Sequence, residues 1–404
     1  MIPGFSLSKT TLLALFLTLS LQIANGQEAD QLNAIHTAAP FLTIAPDGRS
    51  TGMGDVGVAT APDLNSQHWN SAKYAFIEGR WGVAATYTPW TRHLTPGRNL
   101  GYLTGYYKIN EKNIVSSSLR YFSLPINMFP AVTGLAGITI DPFETAFDAG
   151  YSRKFTDNFS GGVVFRYIHS DLTRGHAVNG EETRPGTSFA GDLGLYYQDD
   201  IQLGEKPAQW AVGLNISNVG SPISYTADAK AVPIPTNLRL GGRFCFNINA
   251  SHSISLNTDL NKLLVPTPAN YYPDSIDEGG NLVLEHGKAA PESVLAGMFQ
   301  SFYDAPGYIT SDGTRSIFLE EMHEIAYSVG AEYWYKKRLA FRTGYYHEHL
   351  TKGNRKYFTF GAGARVSIVT LDISYLLPRG LKSSSLYNTF RFGLTVEIGR
   401  GLGV

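Results

Sequence analysis

Apolar side chains alternate with small or polar ones over many stretches of the chain. In 389–398, every second residue from Phe390 to Ile398 is apolar, and 253–261 shows the same period with Leu256 and Leu260 on the apolar side. Because successive side chains of a strand point to opposite faces, this pattern predicts strands with one apolar face. A strand that crosses an outer membrane has this alternation over about 10 residues. A strand of a soluble β-sandwich would show it too, so the pattern alone leaves both classes open.

The alternating segments number fourteen, an even count, as a bacterial outer-membrane barrel requires. They lie at residues 81–88, 99–109, 113–124, 143–154, 158–171, 187–198, 208–218, 236–248, 252–262, 324–336, 338–348, 356–366, 368–377 and 387–398.

The connections between these segments alternate in length along the chain. The short ones are 110–112, 156–157, 249–251 and 337, whereas the long ones are 125–142, 172–186, 219–235 and 263–323. Outer-membrane barrels have short periplasmic turns and long extracellular loops, whereas a sandwich has no reason to segregate loop length in this way. We therefore predict an all-β fold, a 14-stranded antiparallel transmembrane β-barrel over 81–404, with 263–323 as a long extracellular loop. Only the connection 199–207 is longer than this rule expects.

The N-terminus has the order of features found in a secretory signal peptide. Lys9 precedes an apolar run at 11–23, and Ala24-Asn25-Gly26 follows it. The run is shorter than the roughly 20 apolar residues of a spanning helix, which favours a cleaved Sec signal peptide over residues 1–26. The mature chain would begin at Gln27, reside in the bacterial outer membrane and have both termini in the periplasm.

Residues 27–80 precede the first predicted strand and contain a glycine-rich run at 52–57. A nucleotide-binding interpretation is weak because no strand precedes these glycines to form a phosphate-binding turn. We interpret 27–80 as an N-terminal hatch or plug segment inside the barrel. The alternative is a disordered periplasmic lead.

Composition and charge exclude several classes of function. The formal net charge is -1 with 17% charged residues, so nucleic acid is not expected as a partner. The one cysteine, Cys245, allows no disulfide within the chain. His347 and His349 would share one face of a strand, which gives too few ligands for a metal site. We expect no metal and no cofactor.

The lumen-facing positions of the predicted strands include ten charged residues. Charges at membrane depth are costly unless they pair or meet water, so a structural network that holds the hatch is the first interpretation, and a solute-conducting path is the second. These residues are Arg120, Arg166, Asp192, Arg239, Arg243, Arg342, Arg365, Asp372, Arg391 and Glu397.

Two long loops carry apolar side chains that water-exposed loops rarely retain. The loop 263–323 is far longer than the 12 to 15 residues usual for an unstructured connection, so we expect it to be functional, either as a partner-binding surface or as a self-packed lid. Its candidate binding residues, at helix-like spacing, are Val294, Leu295, Met298, Phe299, Phe302 and Tyr303. The second candidate loop carries Met128, Phe129 and Leu135.

Several runs of this sequence resemble the PorV family of type IX secretion barrels, which belongs with the FadL-like fourteen-stranded barrels. The resemblance covers nearly the whole mature chain and is carried by YSRKF at 151–155, RYIHSDL at 166–172, GLNISNVG at 213–220, PTNLRLG at 235–241, DLNKLLVPTP at 259–268, GMFQSFYDAPG at 297–307, YHEH at 346–349 and KGNRKYF at 352–358. The run at 69–72 also resembles the Asn-Pro-Ala element of FadL-like hatches, with Ser71 in place of proline.

This resemblance implies a carrier and not an enzyme. The barrel would receive the C-terminal signal domain of secreted cargo after the translocon called SprA or Sov and present it to the sortase PorU and its attachment complex, within membrane lipid and lipopolysaccharide. The alternatives are a FadL-like transporter of hydrophobic solutes and a lipid A deacylation factor. The last would need a nucleophile and base, and His169, Ser170 and Asp171 are neighbours that a strand points to opposite faces.

Overall fold

The computed structural model describes residues 32–89, 97–124, 126–128, 138–177, 181–227, 230–379 and 389–399. Its strands are β1 (Trp81–Pro89), β2 (Asn99–Asn110), β3 (Asn113–Ser123), β4 (Ile126–Met128), β5 (Ile138–Ile140), β6 (Phe143–Lys154), β7 (Phe159–Asp171), β8 (Gly186–Leu203), β9 (Lys206–Gly220), β10 (Asn237–Asn249), β11 (His252–Leu263), β12 (Asn270–Ile276), β13 (Leu282–His286), β14 (Tyr308–Ile309), β15 (Arg315–Ser316), β16 (Ala326–Tyr335), β17 (Leu339–His347), β18 (Lys356–Val366), β19 (Val369–Pro378) and β20 (Thr389–Ile398).

Fourteen of these strands form a closed antiparallel barrel in the order β1-β2-β3-β6-β7-β8-β9-β10-β11-β16-β17-β18-β19-β20. The barrel closes between β1 and β20, where Trp81 pairs with Ile398 and Tyr87 with Phe392. Closure leaves no unpaired edge, which is the condition for a sheet to span a membrane. The predicted fold class and all fourteen predicted strands are confirmed.

The apolar side chains of the strands point outward and the polar ones point into the barrel. On β11, Leu256 is 53% exposed, whereas Ser255, Asn257 and Asp259 beside it are buried. Phe341 on β17 is likewise 57% exposed, next to buried Arg342. A soluble barrel would have the opposite arrangement, so the outer surface of this barrel is suited to contact with lipid. Among the described residues, no helix is long and apolar enough to cross a membrane.

The two ends of the barrel differ in their connections. Short turns join β2 to β3, β6 to β7, β8 to β9, β10 to β11, β16 to β17 and β18 to β19 at one end. Longer segments, including 264–325 between β11 and β16, lie at the other. The predicted connection at 199–207 is too long. The strands β8 and β9 continue their pairing to Leu203 and Lys206, so the turn consists only of Gly204 and Glu205.

Short helices occur before β1 and in the longest connection. They are α1 (Gly48–Thr51), α2 (Ser66–Trp69), α3 (Val294–Gln300) and α4 (Ile317–His323), with 3-10 turns at Pro40–Thr43, Ser71–Phe76 and Leu350–Lys352. The connection 264–325 also contains two small hairpins, β12 with β13 and β14 with β15.

The segment before β1 lies inside the barrel, against its inner wall. Backbone approach is very close where Met53 and Gly54 meet β17. A Cβ at Gly344 would come within 2.0 Å of the Met53 carbonyl carbon, and one at Gly54 within 2.7 Å of the Tyr345 nitrogen. Gly54 also has a φ of 77°, which glycine adopts without strain. Glycine on both sides of this contact therefore lets the hatch and the wall touch.

The described chain begins at the long-loop end of the barrel. The Asn33 amide donates to the Thr351 carbonyl at 2.9 Å, and the Asn33 side chain donates to the Pro268 carbonyl at 3.2 Å. Ile398, at the end of β20, lies at the short-turn end beside Trp81. The described start of the chain and the end of β20 therefore lie at opposite ends of the barrel, because the segment enters the lumen from the long-loop end and reaches β1 only at the far end. Which side of the membrane each end faces stays a prediction.

Candidate functional site

The lumen contains a buried cluster of charges around Arg166 on β7. Its guanidinium donates to Asp148 on β6 at 2.6 Å and to Asp192 on β8 at 3.0 Å, and it also contacts Asn218. The three charged side chains are at most 4% exposed. Each ion has partners on neighbouring strands, which offsets the cost of burying it. The cluster joins four adjacent strands inside the wall.

A second cluster ties the hatch to the opposite side of the wall. Glu332 on β16 accepts from Arg342 on β17 at 2.8 Å and from Arg49 of α1 at 2.8 Å. Arg342 also donates to Asp372 on β19 at 2.6 Å, and Arg49 to Asp63 in the hatch at 2.8 Å. The Arg49–Glu332 pair connects hatch and barrel through two parallel, charge-assisted hydrogen bonds, the strongest type available to side chains.

The other predicted lumen residues occupy several separate places. Arg120 donates to the Leu42 carbonyl at 3.0 Å and meets Nδ1 of His68 at 2.7 Å, while Arg239 donates to the His68 carbonyl at 3.2 Å. Burial holds the pKa of His68 well below its usual value, as does the charge of Arg120. Both arginines therefore hold the hatch backbone.

The remaining four lie apart from these hatch contacts. Arg243 contacts Gln209, Arg365 stacks on Trp334 with its guanidinium 4.7 Å from the ring centre, Arg391 is buried on β20, and Glu397 accepts from the Tyr106 hydroxyl at 3.0 Å.

No hydrolase relay forms at 169–171 on β7. The Ser170 hydroxyl donates to Glu144 at 2.8 Å and lies 2.9 Å from the Tyr225 hydroxyl, while the His169 ring packs on Phe143. Ser170 therefore has no imidazole beside it. His349 does not ligate with His347 either, since its ring stacks on that of His323 at 3.5 Å.

The long connection is fixed to the barrel by five buried charged side chains, which we call the loop anchor. Glu324 accepts from Lys262 on β11 at 2.6 Å and from Lys352 at 3.0 Å. Lys262 also binds Glu321 at 3.0 Å, and Lys352 binds Glu320 at 2.7 Å. All five are at most 7% exposed, and together they hold α4 over the barrel mouth. The sequence interpretation missed the loop anchor because its members are far apart in the chain.

Burial shifts the pKa values of two titratable groups beside the loop anchor. Burial raises the pKa of Asp304 to about 6, and the carboxylates of Glu321 and Glu324 contribute to this shift. Burial lowers the pKa of His323 to about 4, and the charges of His349 and Lys352 act in the same direction. Asp304 accepts from the Thr267 amide at 3.3 Å, so both groups belong to the docked form of the loop.

Above the loop anchor, the connection exposes large apolar side chains. Of the six predicted residues, Leu295, Phe299, Phe302 and Tyr303 are exposed, with Phe299 at 72%, while Val294 and Met298 are partly buried. The sequence interpretation missed Ile317, Phe318 and Met322 of α4, of which Phe318 is 73% exposed. We call these seven exposed residues the apolar loop surface. In the second candidate loop, Met128 ends the backbone of β4, and Phe129 and Leu135 lie outside the described residues.

Between the hatch and the long-loop end lies a cavity of about 310 Å³. Its lining includes Asp55, Arg239, Glu348, Lys352 and Arg355, besides aromatic and aliphatic groups. A pocket for a hydrophobic solute is lined mainly by apolar side chains with few polar groups. The charged lining of this cavity therefore does not favour an apolar ligand.

Fold and outer surface together define an integral outer-membrane β-barrel with a filled lumen and an anchored, apolar outer loop. The family model described as type IX secretion system protein PorV matches residues 27–270. The chain belongs to this PorV family and is thus an outer-membrane component of the type IX secretion system. No curated protein matches the chain significantly.

Several solved barrels are similar in outline. The toluene transporter TbuX of Ralstonia pickettii is 12% identical, with 87% of this chain and 98% of that chain covered and a TM-score of 0.47. The toluene transporter TodX of Pseudomonas putida is 12% identical, with 90% of this chain and 98% of that chain covered and a TM-score of 0.47. A FadL homologue of Pseudomonas aeruginosa is 11% identical, with 91% of this chain and 99% of that chain covered and a TM-score of 0.42.

Proposed function

We propose that this barrel is a carrier for secreted proteins, with no catalytic step of its own. It binds the C-terminal signal domain of cargo at its long-loop end, receives it from the SprA or Sov translocon and delivers it to the PorU sortase and attachment complex. Membership of the PorV family supports the secretion system, and the short-turn rule of outer-membrane barrels supports an extracellular location for the long loops. The proposal includes export by a signal peptide at 1–26 and a hatch at 27–80.

The apolar loop surface is the observation that carries this proposal. A loop that packed on itself would bury Phe299 and Phe318, yet both are more than two-thirds exposed. Aromatic side chains near the centre of an interface contribute most of its binding energy, and Met adapts to varied partners. The loop anchor keeps α4 in place, so Phe318 is presented without a further cost of ordering that helix.

The test is binding of a purified cargo C-terminal domain to the barrel in detergent. Replacing Phe299 and Phe302 together by Ala should abolish retrieval of the domain and of the translocon, while the barrel remains folded and heat-modifiable. The matched control is Val366→Ala with Ile368→Ala, which removes exposed apolar surface from the short-turn end. Retention of both partners at normal yield by the Phe299 and Phe302 variant would show that the binding surface lies elsewhere.

A FadL-like transport function is the weaker candidate. The hatch is held to the wall by the Arg49 and Glu332 contact at 2.8 Å and by the close approach of Gly54 to Tyr345. The cavity between the hatch and the long-loop end has several charged groups in its lining. The proposed carrier needs no path through the lumen.

A further inference from the structure

The hairpin of β12 and β13 forms a two-stranded sheet of its own, which pairs with no other strand in the described part of the chain. The two strands hydrogen-bond only to each other, and every residue of β12 is exposed. An isolated two-stranded hairpin is marginally stable in water, and a third strand or a packing surface is what such hairpins need. Yet the hairpin carries large exposed apolar side chains, namely Tyr271, Tyr272, Ile276, Leu282 and Leu284. A hairpin of this kind would be stabilised by a further strand or by another packing surface.

The charge of the hairpin limits what can add to it. Between Asn270 and Gly287 there are four carboxylates, Asp274, Asp277, Glu278 and Glu285, and no Lys or Arg. Asp277 accepts from the amides of Gly279 and Asn281 at 2.9 and 2.8 Å, and these bonds lower its pKa, so it stays ionised. The phosphates of lipopolysaccharide and the hairpin of a second copy are both anionic and would be repelled. A cationic polypeptide has the complementary charge.

The edges of the hairpin indicate how such a polypeptide would bind. β12 contains Pro273, which has no N–H to donate to a neighbouring strand. β13, with the sequence Leu282-Val283-Leu284-Glu285-His286, contains no proline. Exposed strand edges are templates for pairing with an extended chain, in which main-chain hydrogen bonds give affinity and alternate side chains give specificity.

We propose that the free edge of β13 accepts an extended, positively charged segment of a secreted protein as an added β-strand. Main-chain hydrogen bonds would form the contact, and Lys or Arg side chains of the segment would lie beside Glu285, with Asp274 one strand further away on β12. This inference rests on the proposed function, because it takes secreted cargo as the partner of the loop. It adds a second contact that tolerates varied sequences, since strand addition reads mainly the backbone.

The role of the hairpin's negative charge is tested by measuring binding to the full barrel in detergent. The probe is the purified C-terminal domain of a protein secreted by the same system. Replacing Asp274 and Glu285 together by Lys should raise the Kd about tenfold at low salt, and the difference should vanish near roughly 0.5 M NaCl. The matched control is Glu181→Lys with Glu182→Lys, an equal charge change on exposed residues of another long-loop-end connection. The control should change the Kd by less than about twofold. Equal effects of the two variants would overturn the assignment of the charge to the hairpin.

The strand edge is tested by single substitutions at Val283 and Leu284. Neighbouring amides of a strand point to opposite edges, so one of Val283→Pro and Leu284→Pro removes a donor from the free edge. That variant should lose binding at every salt concentration, whereas Val283→Ala and Leu284→Ala should stay within about threefold of the parent. Normal binding by both proline variants, or equal loss in the alanine variants, would exclude strand addition.

The same assay separates this inference from the proposed function. If the parent barrel does not bind the domain at all, the carrier function and the strand addition both fall. If the parent binds, the Phe299 and Phe302 variant does not, and all hairpin variants bind normally, the carrier function stands and only the strand addition falls.

Discussion

Glu324 is the side chain on which the docking of the long loop depends most. Its carboxylate accepts from Lys262 at 2.6 Å, from Lys352 at 3.0 Å and from the Thr267 hydroxyl at 2.6 Å, and it is 1% exposed. The variant Glu324→Leu removes the shared partner of two buried lysines. We expect it to release α4 from the barrel mouth without unfolding the barrel, because the strands keep their own hydrogen bonds.

The magnitude follows from the contacts that remain. Removing one partner of a buried ion pair costs about 3 to 5 kcal/mol because it leaves an uncompensated charge. Here Lys262 keeps Glu321 and Lys352 keeps Glu320, so the lower limit applies. A loss of about 3 kcal/mol corresponds to an opening constant of the loop about 100-fold larger than in the parent.

Hydrogen exchange of the amides in 317–323, followed by mass spectrometry in detergent, measures this opening directly. Exchange in these peptides should accelerate about 100-fold, while peptides from β16 keep the parent rate. Glu278→Leu, at the exposed tip of the β12–β13 hairpin, is the control and should leave α4 unchanged. If α4 exchanges within about threefold of the parent rate in Glu324→Leu, the loop anchor does not hold the loop.

Two further predictions concern the same end of the barrel. In a Cys245→Ser background, Leu32→Cys should react with a membrane-impermeant maleimide on intact cells, whereas Val366→Cys should not. The reason is that Asn33 hydrogen-bonds to long-loop elements, while Val366 lies at the short-turn end. The reverse labelling pattern would mean that the short turns, and not the long loops, face the outside of the cell. Docking keeps His323 neutral, with its pKa lowered from 6.5 to about 4, and favours the protonated form of Asp304, with its pKa raised from 3.8 to about 6, so the two effects largely cancel as the pH falls from 6.5 to 4. In Asp304→Asn only the His323 effect remains, so proteolysis of the loop should increase as the pH falls through this range, whereas in His323→Gln it should decrease.

The strands were predictable because lipid and lumen impose a strict alternation of side chains. A slip of one residue would place Asp259 or Arg342 in lipid, so the register is strongly specified in the sequence. The turn at Gly204 and Glu205 was missed for the same reason. Beyond Gln198 the strands β8 and β9 leave the membrane as a hydrated hairpin, in which Gln209 donates to Asp200 at 2.7 Å and no alternation is required.

The lumen positions could be assigned by parity, but their partners could not. Asp148 and Glu332 lie on predicted strands with the correct parity and could have been added to the set. Arg49 could not, since it belongs to the hatch, whose path through the barrel has no periodic signal in the sequence. The same holds for the pairing of Lys262 with Glu321, which are 59 residues apart.

Charged contacts thus do two different things in this barrel. Around Arg166 and Glu332 they lie in the lumen and hold the hatch to the wall. At the loop anchor they fix α4, and α4 exposes Phe318. A carrier that must release each cargo domain cannot rely on very tight binding, and a surface ordered in advance gives usable affinity from a few aromatic contacts. In the proposed carrier, the rigidity of the barrel and the exposure of its loop would be parts of one mechanism, in which the cost of ordering the binding surface is met during folding and not at each encounter with cargo.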